Sequence, residues 1–280
     1  NAISIDFTRH IYYNHKKTSG SVYMNLKSIF ENNDEKPLDN IPADGGYTAI
    51  FRTIACVGDS LSSGEFEADN GNGGSSYHDM FEYSWGQFMG RMCGSRVYNM
   101  SRGGMTAKEY CEGFADANGY WNPKYAAQCY IIALGVNDLL CQKQELGSPG
   151  DITVEDKKTF AHYYAEIIEK YKKIQPRAKF FLMAMPSEGE KDGNLEIKKK
   201  YLSLLNAFAE KYDNTYVLDL FNYAPEYNAQ FKEKFYLRGH LNPAGYLLTA
   251  KMTAAYIDYI IRHNMKDFKE IGFIGTNLHD

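Results

Sequence analysis

The chain has no cysteine pair at CxxC spacing and no cysteine and histidine cluster, which removes the ligand spacings a structural zinc site requires. Its five cysteines are an odd number, and Cys56 and Cys129 stand in apolar, strand-like runs. Reduced, buried thiols are expected rather than a disulfide framework. No run of about 18 apolar residues exists, and a transmembrane helix is therefore not expected. No secretory leader is visible, but the chain begins at Asn1 and not at methionine, so the compartment stays open: cytoplasmic if the chain was trimmed to Asn1, secreted if a leader was removed. No GxGxxG or GxxxxGK[ST] segment follows the first apolar strand, which argues against a nucleotide or flavin binder. Positive charge is not in excess: the formal net charge is -4, so neither nucleic acid nor an anionic membrane is an expected partner. Internal repeats and low-complexity tracts are absent.

What is present divides into two parts. Residues 1–47 carry a basic patch (His15, Lys16, Lys17), a polar stretch from Glu31 to Lys36, Pro37 and Pro42, and a Gly45-Gly46 turn. They read as an N-terminal extension, with short strands permitted by the alternation in Ile3–Phe7 and Ser21–Leu26. Residues 48–280 alternate apolar runs with helical segments. Strands are expected at Thr53–Val57, Ser95–Met100, Gln128–Leu134, Lys179–Met185 and Thr215–Leu220. Helices are expected at Ser84–Met92, Thr106–Gly113, Val154–Ile174, Leu195–Lys211 and Pro243–Arg262, the last begun by an Asn242 cap and a first-turn proline. Five strands separated by helices imply an α/β fold with a parallel sheet covered on both faces, and a ligand site at the strands' carboxyl ends.

Small or polar groups stand just past those ends. The first strand runs into Gly58-Asp59-Ser60, the second into Ser101-Arg102-Gly103-Gly104, and the third into Gly135-Val136-Asn137-Asp138; Gly239-His240-Leu241-Asn242 precedes the last helix. Acyl transfer calls for that set. A serine hydroxyl is a weak nucleophile that needs an adjacent base, and His240 can supply it. The oxyanion of the tetrahedral intermediate needs donors aimed in advance, and the Ser60 amide, the Gly104 amide and the Asn137 side chain are available. Each segment alone is ordinary: Gly-Asp-Ser is turn chemistry, Gly103-Gly104 a strand-to-helix turn, Asn137-Asp138 a helix cap. Their order and common position carry the reading.

On these four blocks, Gly58-Asp59-Ser60-Leu61, Gly104, Gly135-x-Asn137-Asp138 and His240, the chain resembles the SGNH hydrolases, or GDSL-type esterases and lipases, over about residues 50–262. The resemblance implies a flavodoxin-like three-layer α/β/α fold and metal-independent ester hydrolysis without a cofactor. It implies Ser60 as nucleophile, His240 as base, and Ser60, Gly104 and Asn137 as the oxyanion hole. One departure stands out. The family usually places an aspartate three residues before the histidine, and that position is Leu237. A Ser60/His240 dyad with the outer imidazole nitrogen on a backbone carbonyl is expected, or a carboxylate from elsewhere such as Asp219 or Glu226.

The insert Glu65–Tyr83, rich in Gly, Asn and Ser and carrying Tyr77, His78, Phe81 and Tyr83, starts beside the nucleophile and reads as an overhanging specificity loop. Its polar and aromatic mixture, with no extended apolar lid, suits short acyl esters of carbohydrates or small molecules. A weakly active or inactive glycan-binding protein, motivated by Leu237, and an acyltransferase are the competing readings.

Overall fold

The structure, a computed structural model, describes residues 34–279. In chain order its strands are β1 (Thr53–Gly58), β2 (Glu65–Asp69), β3 (Ser75–Asp79), β4 (Arg96–Ser101), β5 (Cys129–Ala133), β6 (Lys179–Met183), β7 (Thr215–Leu218), β8 (Tyr236–Leu237) and β9 (His240–Leu241). Five of them form one sheet in the order β4-β1-β5-β6-β7, with every pairing parallel. Successive side chains of a strand point to opposite faces, and both faces here are apolar. Ala55, Val57, Tyr130, Ile132, Phe180 and Leu182 enter one core, against helices Phe160–Ile174 and Leu195–Lys211. Ile54, Cys56, Cys129, Ile131 and Phe181 enter the other, with Trp85, Met89 and helix Pro243–His263. The layers are therefore α/β/α, as the sequence predicts.

The five predicted strands coincide with the sheet to within two residues at each end. Helix starts differ where a side chain decides them. The predicted Val154 start moves to Phe160, because Thr159 Oγ1 accepts the His162 N–H and caps the helix there. The predicted Thr106–Gly113 helix begins at Ala107, capped by Thr106, and continues through a π-turn to Ala117. Elements not foreseen include helix Ala229–Phe235, the short hairpin β8–β9, and the antiparallel hairpin β2–β3 inside the insert expected to be a loop.

Of the predicted extension, the strands proposed at Ile3–Phe7 and Ser21–Leu26 lie outside the described residues. From residue 34 onward it packs on the last helix. Arg262 holds the Glu35 carboxylate at 2.6 and 2.7 Å, and the Tyr47 N–H donates to Asp258 Oδ1 at 2.7 Å. Among the described residues no helix is long and apolar enough to cross a membrane.

Helix Trp85–Cys93 approaches the sheet through glycines. A Cβ on Gly90 would lie 2.8 Å from Val97 Cγ2 and 2.9 Å from the Ser95 carbonyl oxygen, and that backbone atom has little room to yield. Gly90→Ala is expected to destabilise by about 1–2 kcal/mol, overpacking outweighing the helix-propensity gain. Gly113→Ala, where a Cβ meets nothing within 4 Å, is expected to be neutral or stabilising by up to about 1 kcal/mol. Urea unfolding midpoints of the two variants check the contrast.

Candidate active site

Ladder register sets the site. Gly58 pairs with Ser101 of β4 and with Ala133 of β5, so the three connections that follow leave the sheet at one level. β1 lies between β4 and β5, where the direction of the strand order reverses, and open α/β sheets bind ligands at such a point. Gly58 is glycine for space: a Cβ would collide with the Ser62 side chain and stand 3.0 Å from the Ala133 carbonyl oxygen. Asp59 is extended and its Oδ1 accepts the Leu61 N–H at 3.0 Å, which starts the turn Ser60–Ser63. Ser60 is therefore the first residue past the strand that can turn toward solvent, and it is half-buried.

The two other rim segments are tied to each other. Asn137 Nδ2 donates to the Met105 carbonyl at 3.1 Å, and Asp138 Oδ1 accepts the Ala107 N–H at 2.8 Å. An asparagine amide has two N–H donors, so one remains after the Met105 bond. Gly104, just before the clamped segment, has φ +70, and its absent Cβ would meet nothing within 4 Å. Glycine is required there by backbone conformation, not by crowding.

His240 reaches the rim on the two-residue hairpin β8–β9, where it pairs across from Leu237. The Ser60–Ser63 turn packs against β2 and against β9, the strand that carries His240. Both imidazole nitrogens face carboxylates of β2: Nε2 lies 3.2 Å from Glu65 Oε1, and Nδ1 lies 3.3 Å from Glu67 Oε2. The expected backbone carbonyl is thus replaced by a side chain, and neither Asp219 nor Glu226 is involved. Asp219 caps the turn Leu220–Tyr223, and Glu226 faces Asn228 and the Gly189 turn. Leu237 points outward and is 43% exposed.

The hairpin register explains how two glutamates meet one histidine. Glu67 pairs across from Tyr77, and alternation puts Glu65, Glu67 and Tyr77 on one face; the Tyr77 ring packs edge-on to the His240 ring at 5.7 Å. The opposite face carries Phe66, which stacks on Tyr246, and the Tyr246 hydroxyl donates to the Glu65 carbonyl at 2.6 Å. Glu67 also accepts from Ser75 Oγ at 2.5 Å and from the Gly239 N–H at 2.7 Å, and the Ser75 bond foremost holds it below the usual carboxylate range. Burial raises Glu65, against the pull of His240. The Glu65 carboxylate lies against Gly103, where an added Cβ would strike it, so it fills the space between His240 and the Gly103-Gly104 loop. Sequence reasoning missed both glutamates, although the alternation Glu65-Phe66-Glu67-Ala68-Asp69 before the turn-rich Asn70–Gly74 was a signal of a hairpin.

Behind the rim, burial pushes both Asp59 and Asp138 up to about 7. Among the described residues Asp138 Oδ2 is buried without a hydrogen-bond partner. A cavity of about 80 Å³ adjoins the Ser60–Ser63 turn, lined by Asp59, Leu61, Trp85, Val136 and Met185 among others. Among the described residues no group of three or more His, Cys, Asp or Glu side chains is arranged to hold a metal ion.

Sheet order and layering define an α/β/α fold. The chain belongs to the GDSL-like lipase/acylhydrolase family, whose profile matches residues 56–248, and it is a carboxylic ester hydrolase. Solved structures share the fold at low identity. A possible lipase from Chitinophaga pinensis DSM 2588 is 15% identical with a TM-score of 0.53, covering 79% of this chain and 98% of that one. A family two carbohydrate esterase from Clostridium thermocellum, in complex with cellohexaose, is 18% identical with a TM-score of 0.53, covering 75% and 64%. A carbohydrate esterase family 2 enzyme with a carbohydrate binding domain from Corynascus thermopiles (Myceliophthora fergusii) is 16% identical with a TM-score of 0.52, covering 75% and 66%. No curated protein matches the chain.

The buried acids give a pH signature. Between the ordinary aspartate value of 3.8 and about 7, the folded chain holds protons that the unfolded chain has released. Their contribution is therefore greatest at low pH and is lost as pH rises through that window. Asp138→Asn keeps the acceptor for Ala107 and removes the charge. Its unfolding free energy relative to the native protein is expected to improve by about 2–4 kcal/mol between about pH 4 and about pH 8. Denaturant titrations at the two pH values measure this.

Proposed function

We propose that the protein is a serine esterase that removes short acyl groups, acetyl above all, from carbohydrates or small molecules, with Ser60 as nucleophile and His240 as base. The observation that supports the reading is the shared level at which the segments bearing Ser60, Gly104 and Asn137 leave the sheet, with the strand of His240 packed against the Ser60–Ser63 turn. In the reaction the Ser60 oxygen attacks the ester carbonyl as His240 Nε2 takes its proton. The oxyanion is met by the Ser60 and Gly104 amides and by the free N–H of Asn137. His240 then passes the proton to the leaving alcohol, and water repeats the sequence to free the acid. For Nε2 to reach Ser60, the Glu65 carboxylate yields its place to the ester, which enters between His240 and Gly103.

The short acyl group is chosen because the insert Glu65–Tyr83 carries no extended apolar lid, and two features support a polar carrier. On the solvent side, Tyr77, Met80, Phe81 and Tyr83 are exposed around the hairpin, an apolar and hydroxyl-bearing surface on which sugar rings can lie. The likeness of fold to carbohydrate esterases, one of them solved with cellohexaose, agrees with this choice.

An ester panel of acetylated sugars and p-nitrophenyl esters of rising chain length tests the reading. Activity is expected to be highest on acetyl esters and to fall toward octanoyl; a rise with chain length would overturn the acyl assignment. Ser60→Ala is expected to abolish turnover, and an active Ser60→Ala protein would remove the serine mechanism. Asn137→Ala is expected to lower kcat about a hundredfold to a thousandfold.

A further inference from the structure

We propose that Glu67, carried on the hairpin β2–β3, is the positioning residue for His240 and supplies the carboxylate that position 237 lacks. The inference rests on the reading of Ser60 and His240 as nucleophile and base. A catalytic imidazole needs its outer nitrogen held so that the proton stays there and the inner nitrogen is free to accept one. Glu67 Oε2 lies 3.3 Å from Nδ1 and also accepts the Gly239 N–H at 2.7 Å. One oxygen therefore grips the histidine and the backbone immediately before it. The other oxygen is fixed by Ser75 Oγ at 2.5 Å, a bond across the same hairpin, and lies 3.9 Å from Arg238 Nε. The side chain is 11% exposed, so its competition with water is small.

Glu65, at Nε2, does not suit the same role. That nitrogen must face Ser60, and the Glu65 carboxylate stands on the substrate side, against Gly103. Leu237 cannot serve, being apolar and turned outward, but it shows what has changed: the carboxylate arrives from a segment some 170 residues earlier, not from the histidine's own hairpin. The hairpin thus has a catalytic duty besides overhanging the site, and Arg238, bonded to Asp69 Oδ2 at 3.1 Å and to the Gly74 carbonyl at 3.2 Å, fastens it to the histidine turn.

The test compares kcat and KM on p-nitrophenyl acetate, together with thermal melts, for the native protein, Glu67→Gln, Asp69→Asn and Ser60→Ala. Glu67→Gln keeps an acceptor for Gly239 but removes the charge and permits the wrong imidazole tautomer. It is expected to lower kcat by on the order of a hundredfold to ten-thousandfold, with KM within about threefold. Asp69→Asn loosens the hairpin's bond to Arg238 without touching Nδ1 and is expected to hold kcat within about twofold. A Glu67→Gln protein with native kcat, a loss confined to KM, or an equal loss in Asp69→Asn would overturn the proposal. Nitrogen NMR of the native protein decides the matter even if Glu67→Gln does not fold. Neutral His240 is expected to carry its proton on Nδ1, and a proton on Nε2 would overturn the assignment. An active Ser60→Ala would instead sink the esterase mechanism itself, whereas an inactive Ser60→Ala beside a fully active Glu67→Gln removes Glu67 alone.

Discussion

A central parallel strand that is buried on both faces and paired on both edges has nowhere to display chemistry except at its end. β1 is such a strand: β4 and β5 satisfy its backbone, and its side chains enter the two cores alternately. Its last residue, Gly58, is crowded by Ser62 and by the Ala133 carbonyl, so the chain must leave the sheet there. The serine two residues later inherits its position from the ladder. The same register fixes the levels at which the Gly104 and Asn137 segments depart, so the rim is a consequence of strand pairing before any catalytic side chain is considered.

The rim is then stiffened by polar bonds paid for in burial. Asn137 and Asp138 reach across to Met105 and Ala107, which holds the Gly104 turn at a fixed offset from Asn137. The cost is a carboxyl removed from water, and Asp138 answers it by keeping its proton toward neutral pH. Asp59 does the same at the start of the Ser60–Ser63 turn. Two acids that shape the rim are thereby kept from adding full negative charge to it below neutral pH.

The hairpin β2–β3 works by the opposite logic. It lies outside the sheet and is anchored by Phe66 on Tyr246 and by Asp69 and Gly74 on Arg238. Alternation along it turns Glu65, Glu67 and Tyr77 toward His240 while Phe66 packs inward. One short element can therefore bring charge and an aromatic surface to the site together.

Much was legible in advance, for identifiable reasons. Short apolar runs such as Cys129–Ala133, alternating with helical segments, suit strands covered on both faces, and Asn242-Pro243 is a good helix start, so the α/β/α order and the placement of Ser60, Gly104 and Asn137 just past strand ends followed from local patterns. The start of helix Phe160–Ile174 was less legible, because Thr159 competes with an apolar Val154 that the period alone favours. The partners of His240 were not legible at all. Glu65 and Glu67 lie in a polar stretch that resembles any surface loop, and what makes them matter is a contact with a residue near the other end of the chain. By itself the sequence determined which elements form and which residues stand at the strand ends, since propensity, capping and burial period are short-range. Only the tertiary structure decided which carboxylates face the histidine, because charge pairing at a few ångströms depends on how the hairpin is seated and not on spacing along the chain.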